Sequence, residues 1–498
     1  GFEDALIVHL YVSGGRARLQ ILRAPAIPLN IPLMKKFVSS LPFQLTDAQR
    51  RSIWEIAKDM EKPHPMNRLL EGDVGSGKTV VAAACALLCV DAGLRAVCMA
   101  PTEILARQHY QTFSSMLTPF NIAVGLITGS MKKDLTSSQI IVGTHALIQK
   151  GATFDNLGLV VIDEQHRFGV EQRAALVKRG VLHTAHSAKR GEESPYHSDD
   201  PRSGLGALPH FLSMSATPIP RTLALTIYGD LDISFLDQMP RERKAVITKR
   251  IMPSERAHAY AFIREKIKEG RQAFVVCPRI EAVGFNARSQ LATSNFQQKL
   301  LLQAETKSVK AEYEKLSKHI FPDLRIVMLH GKMKSKEKEE IVKRFRDREY
   351  DLLVATSVIE VGVDVPNATI MIIEGAERFG LATLHQFRGR VGRGGEQSYC
   401  FLFPTEEGMG ARRLDALLES KNGFELAEKD LEIRGPGDFL SAEQWGTSSL
   451  ALFALADPQT ARDVRRAALS LIKQSPDLSQ FPRLKARIQE VREKLHGD

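Results

Sequence analysis

Three stretches of this 498-residue sequence carry residue types at spacings suited to handling a nucleoside triphosphate. The first, Gly72-Asp73-Val74-Gly75-Ser76-Gly77-Lys78-Thr79, fits G-x-x-x-x-G-K-[ST]. In that pattern glycines let backbone N–H groups close around phosphate oxygens at the start of a helix. Lys78 would bring positive charge to the terminal phosphates, and Thr79 a hydroxyl to Mg²⁺. The bland alternative is a glycine-rich turn. Context argues against it, because the motif follows Leu69-Leu70 and precedes the helix-like run Val80–Leu88.

The second stretch is Val160-Val161-Ile162-Asp163-Glu164-Gln165-His166. A buried strand would deliver Asp163 to its carboxyl end, where a hard oxygen ligand holds Mg²⁺ directly or through water. Glu164 is placed to orient or deprotonate the attacking water. An Asp-Glu pair after a strand also reads as a helix N-cap. The phosphate loop upstream favours the catalytic reading. In the third stretch, Gln386-Phe387-Arg388-Gly389-Arg390-Val391-Gly392-Arg393-Gly394, arginines alternate with small residues. Arg390 and Arg393 could neutralise charge spreading over a γ-phosphoryl group. A solvated basic face is the alternative for this segment taken alone.

Such groups need a scaffold that lines them up. Short apolar runs alternating with amphipathic helical stretches signal a parallel α/β sheet. Strands are expected at Asn67–Glu71, Ala96–Ala100, Gln139–Val142 and Leu157–Ile162, then at Ala273–Cys277, Leu324–Leu329, Asp351–Thr356 and Ile370–Ile373. The polar, charged stretch from Leu236 to Lys244 reads as a linker between two such units, with a cleft between them. Met34, Phe37, Val38 and Leu41 recur at helical spacing and predict a helix ending at Leu41-Pro42. Thr184–Leu208 and Ser289–Lys310 read as loops, the latter partly helical. Beyond Pro404 the pattern is helical, interrupted at Arg434-Gly435-Pro436-Gly437.

Composition bounds the partners. Hydrophobic residues make up 43% and charged residues 25%, ordinary for a globular chain of about three domains. The formal charge of +10 is compatible with a polyanion without requiring one. No apolar run reaches the ~20 residues of a membrane span. The five cysteines lie in apolar stretches with no C-x-x-C spacing and read as buried thiols, not zinc ligands or disulfides.

In order, and over nearly the whole chain, the motifs resemble those of superfamily 2 helicases and translocases. Gln49 resembles the adenine-reading glutamine of that superfamily. Pro101-Thr102-Glu103, Thr128-Gly129 and Gly143-Thr144-His145 resemble the strand-binding motifs of its first domain, and Ser215-Ala216-Thr217 the segment coupling hydrolysis to domain movement. Val276-Cys277-Pro278, Thr356 and Glu360-Val361-Gly362-Val363-Asp364 match its DNA-contact and ATP-contact motifs, Gly362 and Asp364 falling to the nucleotide. Leu41–Thr46, Asp163–Val170, Thr217–Thr222 and Glu377–Leu381 narrow the resemblance to the RecG family. The transcription-repair coupling factor shares much of this core, but Gln165-His166 followed by Glu171-Gln172-Arg173 favours RecG. A nucleic-acid-binding module with an inactive ATPase is a further alternative; the intact Lys78, Thr79, Asp163, Glu164, Arg390 and Arg393 count against it.

The resemblance implies an α/β fold of two RecA-like parallel-sheet domains in tandem, with a C-terminal helical hairpin module. Its domains would be a helical segment at 1–40, an ATP-binding domain at 41–238, a second RecA-like domain at 239–405, and the hairpin, loop and C-terminal helices at 406–498. It implies a monomeric bacterial enzyme of the cytoplasm and nucleoid that uses ATP and Mg²⁺ to translocate on double-stranded DNA and remodel forks and junctions. Catalytic roles would fall to Lys78, Glu164, Gln165, His166, Arg390 and Arg393. Nucleotide contacts would fall to Gln49, Gly72, Gly75, Gly77, Lys78 and Thr79, and the metal to Thr79 and Asp163. DNA contact and translocation would fall to Pro101, Thr102, Gly129, Thr144, Pro278, Thr356, Arg413, Arg434 and Gln444. Around Gln444 the sequence Ser441-Ala442-Glu443-Gln444-Trp445-Gly446 departs from the family's Gly-Thr-Arg-Gln-Ser-Gly, reversing a charge at Glu443. Phe2–Leu6 resembles the segment just after the family's wedge domain, so the sequence is expected to be a piece lacking that wedge, responsive to duplex DNA but poor at remodelling forks.

Overall fold

Strands form where the chain offers runs that can be buried on both faces. The computed structural model describes residues 2–3, 5–7, 10, 22–133, 137–149, 156–164, 207–216, 231–240, 244–278, 309–356, 365–392, 394–405, 410–439, 458–475 and 478–496. They divide into two compact units, one of Gly1–Pro240 with Asn422–Asp498, the other of Arg241–Lys421.

The first unit holds β1 (Asn67–Gly72), β2 (Arg95–Met99), β3 (Val124–Ile127), β4 (Lys132–Lys133), β5 (Ile140–Gly143), β6 (Leu157–Asp163), β7 (His210–Ser215) and β8 (Asp232–Leu236). They form one sheet in the order β4-β3-β5-β2-β6-β7-β1-β8. Every pairing is parallel except β3 with β4. A doubly covered parallel sheet explains why β6 is buried along its whole length and reads as a continuous apolar run.

Helix α1 (Ile31–Ser40) starts at the N-cap Asn30, whose side chain accepts from Leu33 N, and buries Phe37. Helix α2 (Asp47–Met60) opens with a capping box between Thr46 and Gln49. Helix α3 (Lys78–Asp91) is buried without a break from Val80 to Cys89, as its apolar circumference demands. Helix α4 (Glu103–Leu117) buries Ala106, His109, Phe113 and Leu117, spaced three and four apart on one face.

The second unit holds β9 (Ile247–Arg250), β10 (Gln272–Val276), β11 (Ile326–Leu329), β12 (Leu352–Ala355), β13 (Ala368–Glu374) and β14 (Tyr399–Phe403). Their order is β11-β12-β10-β13-β14-β9, parallel throughout. With them come helices α5 (Arg256–Lys268), α6 (Ser335–Arg346), α7 (Leu381–Arg388) and α8 (Ala411–Glu419). Helices α9 (Gly423–Phe439), α10 (Pro458–Gln474) and α11 (Pro482–His496) return to the first unit. There Ala5 packs with Val464, and Leu10 with Ala468 and Leu478.

All eight expected strands are present, their ends moved by one or two residues. The unforeseen strands, β3, β4, β7, β8, β9 and β14, are mostly short or carry polar residues such as Ser213 and Ser234 inside the sheet. The expected linker begins at the last residue of β8 and contains the division at Pro240. The five thiols are free and buried, and burial pushes Cys85 and Cys400 up to about 12. One expectation is corrected. Helix α9 runs through Arg434-Gly435-Pro436-Gly437 to Phe439 instead of stopping there. Proline removes one backbone donor, a loss that a helix already more than three turns long can absorb near its end. The stretches at 184–208 and 289–310 lie outside the described residues except for their last two positions, and Val309 and Lys310 are helical.

Candidate active site

Strand β1 ends at Gly72 and α3 begins at Lys78, so the loop between them turns at once into a helix N-terminus. Two of its glycines, Gly75 and Gly77, have φ of 81° and 88°, in the left-handed region that side chains avoid. A Cβ on Gly77 would also collide with the Gln49 carboxamide, and one on Gly72 would sit 2.7 Å from both Leu236 Cβ and Ser76 Oγ. Lys78 Nζ donates to Gly72 O at 2.6 Å and to Asp73 O at 3.0 Å. Gln49 is committed at both ends of its amide. Its Nε2 donates to Ser76 O at 2.8 Å, and its Oε1 accepts from Thr46 N at 2.9 Å. Among the described residues Ser76 Oγ is buried with no hydrogen-bond partner. A glycine cradle, a helix N-terminus, a lysine and the Thr79 hydroxyl form a donor set that fits a polyphosphate.

At the far end of β6, Asp163 is buried and accepts from Glu164 N at 3.1 Å through Oδ1. Its Oδ2 meets His109 Nε2 at 2.7 Å. Burial works to raise the Asp163 carboxyl, but the bond and charge of His109, the charge of Lys78 and the Glu164 N–H hold it below the usual carboxylate range. It therefore stays an anion ready for a cation. Glu164 has φ of 53°, unusual for a residue with a side chain, and such positions cluster where geometry is set by function. His109 escaped sequence reasoning. The signal was its place on the buried face of α4 between Ala106 and Phe113, where an imidazole must find a partner.

The remaining first-unit candidates fall on the same sheet edge. Pro101 and Thr102 follow β2, Gly129 follows β3 and Thr144 follows β5. Thr102 Oγ1 caps α4 by accepting from Leu105 N at 3.4 Å. Glu103 ties two of these loops together, accepting from Ser130 N at 3.0 Å and from Ser130 Oγ at 2.6 Å. Its Oε1 also crowds Gly129, where an added Cβ would lie 2.7 Å away. Because β5 lies between β3 and β2, the three loops are neighbours, while β7, ending at Ser215, separates β6 from β1.

In the second unit Pro278 lies just past β10, and Thr356, directly after β12, is a buried residue whose Oγ1 has no partner among the described residues. Arg390 is buried just past α7. Arg388 Nη1 donates to Leu417 O at 3.0 Å near the end of α8, and Arg413 Nη2 donates to Glu377 O at 2.7 Å. Gln165, His166, Gly362, Asp364, Arg393 and Gln444 lie outside the described residues, and Arg434 is placed only as a backbone position in α9.

The family described as DEAD/DEAH box helicase matches residues 46–226, and Helicase conserved C-terminal domain matches 285–395. The ATP-dependent DNA helicase RecG of Synechocystis sp. is 44% identical over 477 residues, covering 93% of this chain and 52% of that protein. The corresponding protein of Aquifex aeolicus is 42% identical over 502 residues, covering 97% and 58%. The solved structure of RecG bound to a three-way DNA junction matches with a TM-score of 0.71 at 36% identity, over 93% of this chain and 56% of that one. The chain thus spans little more than half the length of these relatives. Among the described residues no helix is long and apolar enough to cross a membrane.

Proposed function

We propose, from the premise that the chain belongs to the RecG family, that it is the ATP-hydrolysing motor of a double-stranded DNA translocase acting on branched DNA. The observation that carries this reading is the strand order of the first sheet. It sets the phosphate loop and Asp163 at the ends of β1 and β6, and the three strand-contact loops at the ends of β2, β5 and β3, along one carboxyl edge.

In this reading Gly72, Gly75 and Gly77 let backbone amides surround the phosphates, Lys78 neutralises the terminal ones, and Gln49 braces the loop beside the base. Thr79 and Asp163 would hold Mg²⁺, which supplies charge neutralisation at the phosphoryl oxygens. Glu164 takes the proton of the attacking water, with Gln165 and His166 beside it in sequence. Arg390 and Arg393 stabilise charge in the transition state, and Gly362 and Asp364 contact nucleotide. Pro101, Thr102, Gly129, Thr144, Pro278 and Thr356 grip the DNA backbone. Phosphate contacts make the activity indifferent to base sequence and steeply salt-dependent.

The direct test is ATP turnover with and without blunt duplex DNA. Duplex should stimulate it strongly, and salt should abolish the stimulation. Duplex binding without turnover would point to an inactive module, and turnover indifferent to any DNA to an ATPase of another kind.

His109 should matter through the carboxylate that it holds. His109→Ala is expected to raise the Mg²⁺ concentration for half-maximal turnover by about 10-fold or more, the usual effect of removing the partner of a metal-binding group. Mg²⁺ titration of both hydrolysis and fluorescent-nucleotide binding checks it; an unchanged Mg²⁺ requirement would leave His109 a packing residue. The tail residues should act separately. Arg434→Ala or Gln444→Ala is expected to leave duplex-stimulated hydrolysis largely intact while reducing displacement of a third strand from a triplex. Equal loss of both would assign these residues to folding.

A further inference from the structure

The phosphate loop holds a buried carboxylate to which the reading above gives no role. Asp73 is 6% exposed, and both its oxygens accept from Gly423 N, Oδ1 at 3.1 Å and Oδ2 at 3.0 Å. Gly423 is the first residue of α9, and Asn422 before it is the cap, its Oδ1 accepting from Glu425 N at 2.9 Å. The Gly423 N–H is therefore one of the helix's orphan donors, and an anion there also complements the helix dipole. The next residue deepens the attachment. Phe424 is buried and meets Phe235 edge-on at 5.6 Å, on the strand that pairs with β1 beside the loop.

The main chain of Asp73 faces the other way in the same circuit. Its carbonyl accepts from Lys78 Nζ at 3.0 Å and from Ser76 N at 3.1 Å. A lysine that turns toward a phosphate must loosen its hold on this carbonyl, so the peptide that responds to nucleotide also carries the carboxylate seated on α9. From Gly423 the helix runs about 16 Å to Arg434 at ~1.5 Å per residue, a rigid lever.

We infer that Asp73 is a positioning residue that gears α9, and with it Arg434, to the phosphate loop through the bond of its carboxylate to the Gly423 N–H. The inference rests on the motor reading above. Its effect is on base pairs moved per ATP, not on ATP turnover.

Gly423→Pro isolates the bond. Proline lacks the N–H, and its fixed φ suits the first position of a helix, so the variant removes the donor while keeping the helix start. Gly423→Ala keeps the donor and is the control. In the full chain, Gly423→Pro should hydrolyse ATP with duplex DNA within about twofold of the parent, while triplex displacement per ATP falls about tenfold or more. Gly423→Ala should resemble the parent in both. Asp73→Asn, which turns a charge-assisted bond into a neutral one, should give an intermediate ratio of displacement to hydrolysis. Thermal unfolding of each variant guards against a collapsed helix; should Gly423→Pro unfold early, the Asp73→Asn ratio decides.

Normal displacement per ATP in Gly423→Pro, or in Asp73→Asn where it decides, overturns the inference. So does an equal loss in Gly423→Ala, which would assign the effect to glycine's backbone freedom, or a proportional loss of hydrolysis, which would make the contact a support of the loop. Failure of the parent to hydrolyse ATP in response to duplex would instead remove the motor reading, and is seen before any variant is made.

Discussion

Lys78→Ala is expected to lower ATP turnover with saturating duplex by about 10³-fold or more, some 4 kcal/mol at ~1.4 kcal/mol per decade. Two effects combine. The ammonium that would neutralise the terminal phosphates is lost, and with it the bonds that close the loop over Gly72 O and Asp73 O. The charge of Lys78 is also among those that hold the Asp163 carboxyl below its usual range, so its removal lets that carboxyl rise. Lys78→Arg should rescue little, because a planar guanidinium cannot replace a compact ammonium among carbonyls already at hydrogen-bonding distance. Steady-state hydrolysis together with binding of a fluorescent ATP analogue checks this. Turnover within tenfold of the parent would remove Lys78 from the site.

Glu164→Gln should separate binding from chemistry. Glutamine keeps the shape of the side chain and leaves the backbone N–H that donates to Asp163 Oδ1 at 3.1 Å. It cannot accept a proton from water, and loss of a general base costs about 10²- to 10⁴-fold. The expected variant binds ATP with near-parental affinity, hydrolyses it that much more slowly, and stays longer on duplex DNA in the ATP-bound state. The left-handed backbone at Glu164, with φ of 53°, makes Gln preferable to Ala as the test, since it alters one functional group and no local freedom. Near-normal turnover would transfer the role of base to another residue.

Much of this was legible in the residues by themselves. The phosphate loop, Asp163 with Glu164, and the eight expected strands are properties of contiguous segments. A strand, a tight turn and a helix start are each encoded within a few residues, so their types and spacing suffice. Spacing also placed Phe37 on the buried face of α1, and apolar neighbours marked the five cysteines as buried thiols. What only the tertiary structure decided was partnership. Period alone puts His109 on an inner face, but the order β3-β5-β2-β6 and the packing of α4 are what bring it to Asp163. Likewise Asp73 reads as one more loop residue until Gly423, 350 positions away, is seated on it. The helix through Pro436 belongs to the same class, since local propensity weighs one lost donor heavily and a 17-residue helix can absorb it. Periodicity reports which face of an element is inside. It holds no term for what waits there, because that contact is settled by burying many faces at once and by the cost of leaving any polar atom among them unpaired.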